Sequence, residues 1–241
     1  MKPIVTAGDI KRLGTILSVW AHPDDESYSC AGIMTTAVDN GQKVICVTAT
    51  KGESGVQDAN RWPAEKLGEI RAGELANALK ILGVRTHHWL DYQDGCCCDV
   101  PEKTGGEQLK KLIRQYKPDT ILTFGPDGWT GHSDHCSVSC WVDCATEDID
   151  VAVYHWVIET SAYETHLKIA DEQFNIFFNI DELPLKHSGE CDISYKLSPA
   201  VLKKKRAALM AMPSQTEVIF KNSSPETINT MLGHECFVLS K

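Results

Sequence analysis

Two short segments carry the residues best suited to chemistry. The first is Ala21-His22-Pro23-Asp24-Asp25-Glu26; the second is Gly125-Pro126-Asp127-Gly128-Trp129-Thr130-Gly131-His132-Ser133-Asp134-His135. Together they supply three imidazoles and several carboxylates, a donor set suited to a borderline-soft divalent ion, Zn²⁺ above all. In a turn that enters a helix, residues three apart share a face. By that spacing His22 and Asp25 can address one ion while Asp24 is turned aside, and His132 and His135 stand in the same relation. Two histidines and one carboxylate leave a coordination position open, as catalytic zinc sites require. Such an ion acidifies a bound water, and an unligated carboxylate close by, with Asp24 the candidate, can serve as general base. Taken singly, HPDDE reads equally well as acidic residues at a helix N-terminus, and HSDH as a solvated helix start. Their joint occurrence at equivalent strand ends is what points to a site.

That equivalence comes from the elements around them. Ile16–Trp20 is a short apolar run, Cys30–Asn40 a helix that stops at Gly41, and Lys43–Thr48 a second strand followed by the loop KGESG. Apolar residues at helical spacing mark Lys66–Leu82; Thr86–Leu90 reads as a third strand and Glu107–Tyr116 as a third helix. Thr120–Phe124 and Val151–Ile158 are the fourth and fifth strands. Strands alternating with helices imply βαβ units, hence an α/β fold with a mostly parallel sheet and helices on both faces. In such sheets ligands bind beyond the carboxyl ends of the strands, which is where both segments fall. After about residue 160 the alternation weakens, although Pro199–Met212 is expected to be helical with Ser198 as its N-cap. No linker stands out, so one domain over 1–241 is expected, with its metal-site core at about 15–145 and a less defined part from about 160 onward.

The chain has 241 residues and a formal net charge of −9. That acidity argues against a nucleic-acid partner, since such domains are usually basic. Apolar residues at 42% and charged residues at 24% describe a globular chain rather than a disordered one. No apolar run approaches the roughly 20 residues that span a bilayer, and the N-terminus lacks the apolar core of a secretory signal, so no membrane association is expected. The ten cysteines are scattered and form no CxxC pair. A reducing, cytoplasmic location explains them more simply than a disulfide framework.

The combination of AHPDDE near the N-terminus and GHSDH in mid-chain resembles the PIG-L/LmbE family of zinc-dependent N-deacetylases, in which the second motif is usually GHPDH. Ser133 stands in the place of that proline. The resemblance continues through KGESG, IRAGELANALKILGV, the YQDG turn and AALMAMPSQ, where Met212 occupies a position at which the family often has histidine. It implies a Rossmann-like fold and hydrolysis of an N-acetyl group, commonly from an N-acetylglucosamine unit. Carried onto this chain, it implies His22, Asp25 and His135 as metal ligands and Asp24 as general base. His132 would stabilise the oxyanion or protonate the leaving amine, with Asp134 orienting it. Glu53, Arg71 and Asp94 would line the sugar pocket. The implied cofactor is Zn²⁺, although Fe²⁺ suits the same donors. The implied partner is a small amino sugar; homo-oligomers are common in the family, but no interface signature is visible.

Other readings compete. A nucleotide-binding Rossmann domain calls for GxGxxG where this chain has AHPDDE, and acidic residues there repel a pyrophosphate. A non-catalytic metal-binding scaffold calls for a closed ligand shell. Arg71 and Glu74 also fit an i,i+3 surface ion pair. His87 and His88, neighbours in a strand, point to opposite faces and are read as structural. Cys96, Cys97 and Cys98 read as packing or rim residues, Lys203-Lys204-Lys205-Arg206 as a solvated helix face, and Trp129 as either a packed residue or an aromatic wall.

Overall fold

The structure, a computed structural model, describes residues 2–177 and 179–241. Strand β1 (Ile16–Trp20) leads into α1 (Asp25–Ser29) and α2 (Ala31–Asp39). Next come β2 (Val44–Thr50), α3 (Ala64–Leu82), β3 (Thr86–Tyr92) and α4 (Glu102–Tyr116). Strand β4 (Thr120–Phe124) is followed by a single helical turn, α5 (Gly128–Gly131), and by α6 (Ser133–Thr146). Strand β5 (Ala152–Glu159) runs into α7 (Thr160–Ala162), a π-helical turn at Tyr163–Leu167, and α8 (Lys168–Phe174). The remainder holds β6 (Leu185–Lys186), β7 (Ile193–Lys196), α9 (Pro199–Met210), α10 (Pro213–Asn222), α11 (Pro225–Leu232) and β8 (His234–Leu239).

Strands β1, β2 and β4 are buried along their whole length, the expected state of apolar, β-branched runs in a parallel sheet covered on both faces. The sheet order is β3-β2-β1-β4-β5-β8-β7. The first five strands pair in parallel. From β1 the chain steps outward to β2 and β3, then returns to place β4 on the other side of β1. The order therefore reverses between β1 and β4, and the loops leaving these two strands diverge to opposite faces. A crevice opens at such a point beyond the carboxyl ends. Helices α2 and α3 pack with α9 on one side, and α4 packs on α6 on the other. The α4–α6 approach needs Gly105, because a Cβ there would overlap the Trp141 ring.

The far edge departs from the parallel pattern. Strand β8 pairs antiparallel with β5, β7 pairs antiparallel with β8, and Ile4 bridges to Ile193. Strand β7 (ISYK) is only four residues long and β8 (HECFVL) opens on two polar residues, so neither shows the continuous apolar run that marks β1 and β4. The expected helix over Pro199–Met212 ends at Met210, and Pro213 opens α10 at its first position, where proline is favoured. Ser198 caps α9 by accepting from the Val201 N–H.

The basic run on α9 is not simply a solvated face. Lys204 pairs with Asp39 at 2.8 Å, but Lys205 is 1% exposed and donates to Glu235 at 2.7 Å. Glu235 also accepts the N–H groups of Gly32 and Ile33, so this buried pair fastens α9, α2 and β8 together. His87 and His88 do serve separate faces, meeting Thr48 at 3.0 Å and the Tyr116 hydroxyl at 2.7 Å respectively. All ten cysteines are free. Among the described residues no helix is long and apolar enough to cross a membrane.

Candidate metal centre

The loops leaving β1 and β4 meet at the crevice. His22 Nδ1 lies 3.1 Å from His135 Nε2. Asp25 faces both nitrogens, with Oδ2 3.6 Å from His22 Nδ1 and Oδ1 3.5 Å from His135 Nε2. Asp25 is held in this pose because its Oδ2 accepts the backbone N–H of His22 at 2.7 Å. His135 stacks face to face on Phe124, with ring centroids 4.1 Å apart, and its Nδ1 donates to the Gly128 carbonyl at 2.9 Å. That bond leaves the His135 Nε2 lone pair aimed at Asp25 and His22.

The other edge of the His22 ring is just as constrained. Its Nε2 donates to Asp94 Oδ1 at 3.0 Å and to Asp134 Oδ2 at 3.2 Å. Asp134, fully buried, also accepts the backbone N–H groups of Gly95 at 2.8 Å and Cys97 at 3.0 Å. Asp94 accepts the Ser54 N–H at 2.8 Å, and its own N–H donates to Glu53 at 3.0 Å. Histidines that bind metals commonly share their second nitrogen with a carboxylate or carbonyl in this way.

The donor set fits a divalent ion. Two ligands each about 2.1 Å from a tetrahedral ion stand about 3.4 Å apart, close to the three separations above. Two clusters of potential ligands appear among the described residues: His22, His132 and His135, and His22, Asp94 and Asp134. The second lies on the Nε2 side of His22 and offers only one imidazole, whereas the Nδ1 side brings two imidazole nitrogens and Asp25 together, so the Nδ1 side is the better seat for a borderline-soft ion. The electrostatics agree. Burial works against charge on His22, yet hydrogen bonds to Asp134, Asp25 and Asp94 outweigh it and hold the imidazole well above its ordinary value. Burial pushes His135 down to about 4, keeping it a neutral donor. Burial of Asp25 is overcome by His135 and His22, which hold it down to about 2. The surrounding carboxylates thus favour a positive charge on the His22 ring.

Asp24 is turned away from these nitrogens, as its spacing suggests. Its backbone sits at φ 112°, ψ −29°, a strained conformation for a non-glycine residue of the kind that clusters at functional sites. Its Oδ2 lies 3.6 Å from Arg71 Nη2. Burial raises its carboxyl to about 7 against the opposing pull of Arg71. Arg71 does not pair with Glu74. It donates to the carbonyls of Gly52 at 2.7 Å and Pro23 at 2.6 Å, tying the loop after β2 to the loop that carries Asp24. Gly52, at φ +64°, has no room for a Cβ against that guanidinium. Glu74 instead holds Ser214, accepting from its N–H at 3.0 Å and its hydroxyl at 2.5 Å.

A cavity of about 280 Å³ opens beside Asp24, Asp25 and His135. Glu53, Arg71 and Asp94, which the resemblance gives to a sugar pocket, do not line it. Several of their polar groups are engaged in the network around His22 and Asp24, while Glu53 Oε2 and Arg71 Nε are buried without a partner among the described residues. Asp134 also departs from its implied role, because its carboxylate reaches His22 rather than the His132 ring. The two residues meet only where the Asp134 N–H donates to His132 Nδ1 at 3.2 Å. His132 caps α6 and brings a nitrogen within 4.8 Å of those of His22 and His135; burial lowers its basicity. Trp129 is both a packed and a lining residue, stacked on Trp156 at 3.8 Å within the cavity wall. Met212 is a core residue, 1% exposed. Its neighbour Gln215, together with Tyr28 and Gln57, lines the cavity, and no spacing in the sequence singles these three out. The backbone N–H of Cys97 serves Asp134, while the three consecutive thiols range from buried at Cys97 to exposed at Cys98.

Known proteins share these features. The family described as PIG-L: GlcNAc-PI de-N-acetylase matches residues 17–146. A 1D-myo-inositol 2-acetamido-2-deoxy-alpha-D-glucopyranoside deacetylase from Mycobacteroides abscessus is 34% identical over 176 residues, covering 63% of this chain and 63% of the relative. This chain therefore spans less than two thirds of that relative's length. The enzyme of the same name from Acidothermus cellulolyticus is 30% identical over 234 residues, covering 85% of this chain and 80% of its own. The structure of an N,N'-diacetylchitobiose deacetylase from Pyrococcus horikoshii superimposes with a TM-score of 0.65 at 21% identity, over 95% of this chain and 85% of that one; at that identity the likeness concerns the fold alone. The matched stretch runs from β1 to the end of α6 and contains every side chain of the His/Asp cluster, and on that ground the chain belongs to the PIG-L family.

Proposed function

We propose that the protein is a zinc-dependent N-deacetylase that hydrolyses the acetamide of an N-acetylglucosamine-type amino sugar, releasing acetate and the free amine. The observation that carries this reading is the convergence of His22 Nδ1, His135 Nε2 and Asp25 beside a cavity also lined by Asp24. The names of the relatives support the substrate class. Two nitrogens and a carboxylate suit Zn²⁺, and Fe²⁺ satisfies the same donors. When bound, the ion supplies Lewis-acid polarisation of the acetyl carbonyl and acidifies water.

The chain's own residues do the rest. His22, Asp25 and His135 hold the ion, and Asp94 and Asp134 fix the His22 ring. Asp24, whose carboxyl burial raises toward neutrality, takes a proton from the attacking water. The water oxygen bonds to the carbonyl carbon. His132, on the first residue before α6, donates to the oxyanion. The C–N bond then breaks, and the proton held by Asp24 passes to the departing amine. Arg71 keeps Asp24 in place through Pro23 and Gly52. Free cysteines throughout support a reducing compartment, the cytoplasm being the proposed one.

The test is release of free amine from N-acetylglucosamine derivatives, with and without chelator, alongside metal content. Asp24→Ala should retain the metal and lose turnover. His22→Ala and His135→Ala should lose both. An active Asp24→Ala protein would overturn the base assignment, and undiminished activity in the fully demetallated protein would overturn the reading as a whole.

A further inference from the structure

The cavity beside the metal centre has a polar and an apolar part. Among the described residues the polar part is formed by Asp24, Asp25, Thr130, His135, the amides of Gln57 and Gln215 and the Tyr28 hydroxyl. Among the described residues no lysine or arginine lines it, so a phosphate-bearing aglycone finds no countercharge and meets two carboxylates. Apart from the indole N–H groups, the rest of the described lining is apolar. Trp129 and Trp156 stand stacked at 3.8 Å with ring planes within 5°, and Leu167, Ile219, Met231 and Leu232 continue the surface. Aromatic rings pack well on sugars, but the aliphatic residues offer nothing to hydroxyl groups. Each hydroxyl turned toward them loses its water without a replacement partner. The aliphatic wall comes from the π-helical turn, the segment after α8 that holds Ile176, α10 and α11, none of which contributes to the His/Asp cluster among the described residues.

We propose that the amino sugar this protein deacylates carries an alkyl or aryl substituent, seated against the Trp129–Trp156 pair and the aliphatic wall formed by Leu167, Ile219 and Met231. The proposal rests on the metal-dependent amide hydrolysis proposed above: an apolar aglycone narrows the acetamide substrate, whereas a longer acyl chain takes the place of acetyl as the group released. The substituent sits either on the acyl group, as a chain longer than acetyl, or on the anomeric oxygen, as an apolar aglycone. The chemistry of the wall is the same for both, and the experiment separates them.

Amine release by the metal-loaded protein is followed across two series. One is glucosamine acylated with acetyl, butanoyl or hexanoyl groups; the other is N-acetylglucosamine with methyl, butyl or hexyl aglycones. Each methylene that leaves water is worth about fourfold. With partial burial, kcat/KM should rise at least tenfold from the shortest to the longest member of one series, through KM. The series that rises identifies the side of the sugar that faces the wall. Binding of the products gives an independent readout: hexyl glucosaminide should perturb tryptophan emission at a lower concentration than methyl glucosaminide if the aglycone side is correct, and hexanoate at a lower concentration than acetate if the acyl side is. In Ile219→Gln, and separately in Leu167→Gln, the long-to-short ratio of kcat/KM should fall at least threefold; an unchanged ratio in both folded variants overturns the assignment of the wall. Turnover of the shortest compounds with no rise in either series overturns this proposal and leaves the deacetylase reading standing. No amine release from any compound, with the metal bound, overturns both.

Discussion

Replacing Asp134 by asparagine separates two roles for one carboxylate. If Asp134 served His132, as the motif resemblance implies, the change would lower turnover and leave metal affinity alone. Its contacts are with His22 at 3.2 Å, Gly95 N at 2.8 Å and Cys97 N at 3.0 Å, and they predict a different pattern. Asparagine retains one carbonyl oxygen, which can keep Gly95 and His22 on the Oδ2 side, but its NH₂ then faces the Cys97 N–H. A buried donor left without an acceptor costs about 1–3 kcal/mol, and two charge-assisted bonds become neutral ones, each weaker by about 1 kcal/mol. Unfolding free energy in the chelated protein should fall by about 3–5 kcal/mol, read by urea denaturation. Loss of a partner behind a ligating histidine typically weakens metal binding about 10–100-fold. Because Asp94 still reaches the same nitrogen at 3.0 Å, the single variant should lie near tenfold and the Asp94→Asn, Asp134→Asn pair well beyond it. The assay is competition against a chelator of known affinity. A dissociation constant within twofold of the parent, with turnover lost, would refute the reasoning and return Asp134 to His132.

Three further outcomes follow from features away from the ligand atoms. Lys205→Met leaves Glu235 charged and buried with only the Gly32 and Ile33 amides, which should cost about 3–5 kcal/mol; adding Glu235→Gln should recover part of it in urea unfolding. Gly52→Ala forces a side chain into a left-handed backbone, about 1–2 kcal/mol, and collides with Arg71, so both stability and turnover should drop while metal content is kept. Burial, reinforced by His88, pushes His87 down to about 4, whereas the unfolded chain titrates near 6.5. Between those values the unfolded state holds more protons, so stability should fall as pH is lowered from about 6.5 to 4, by no more than about 3 kcal/mol. His87→Asn should flatten that slope in pH-dependent denaturation, and an unchanged slope would count against the assignment.

The parallel half of the fold was legible because continuous apolar runs and helical spacings are local signals, and a parallel sheet puts strand ends on a common edge. That brought the segments around His22 and His135, more than a hundred residues apart, to one edge of the sheet; choosing His135 over His132 as the ligand came from the family resemblance. The direction of individual side chains was less accessible. Asp134 and His132 are near neighbours in the chain, yet the Asp134 carboxylate is claimed by amides of the loop around Gly95. Arg71 looked like one half of a helical ion pair, but carbonyls of two distant loops hold it. Lys205 sat in a run of cations whose solvated appearance hid a partner, Glu235, on an antiparallel strand. The cavity wall was least visible, since Leu167, Ile219 and Met231 belong to three separate segments whose convergence only the folded C-terminal part creates.

The sheet itself divides the protein's tasks. Among the described residues the whole His/Asp cluster lies on the segment from β1 to α6, anchored by fully buried parallel strands, while most of the aliphatic boundary of the cavity is delivered later in the chain by elements near the antiparallel edge. Changes in that later portion can reshape what is accepted without disturbing how the ion is held. Divergence in substrate choice therefore has a route that bypasses the costly, tightly packed half, and the family signature, which ends at residue 146, stops where that freedom begins.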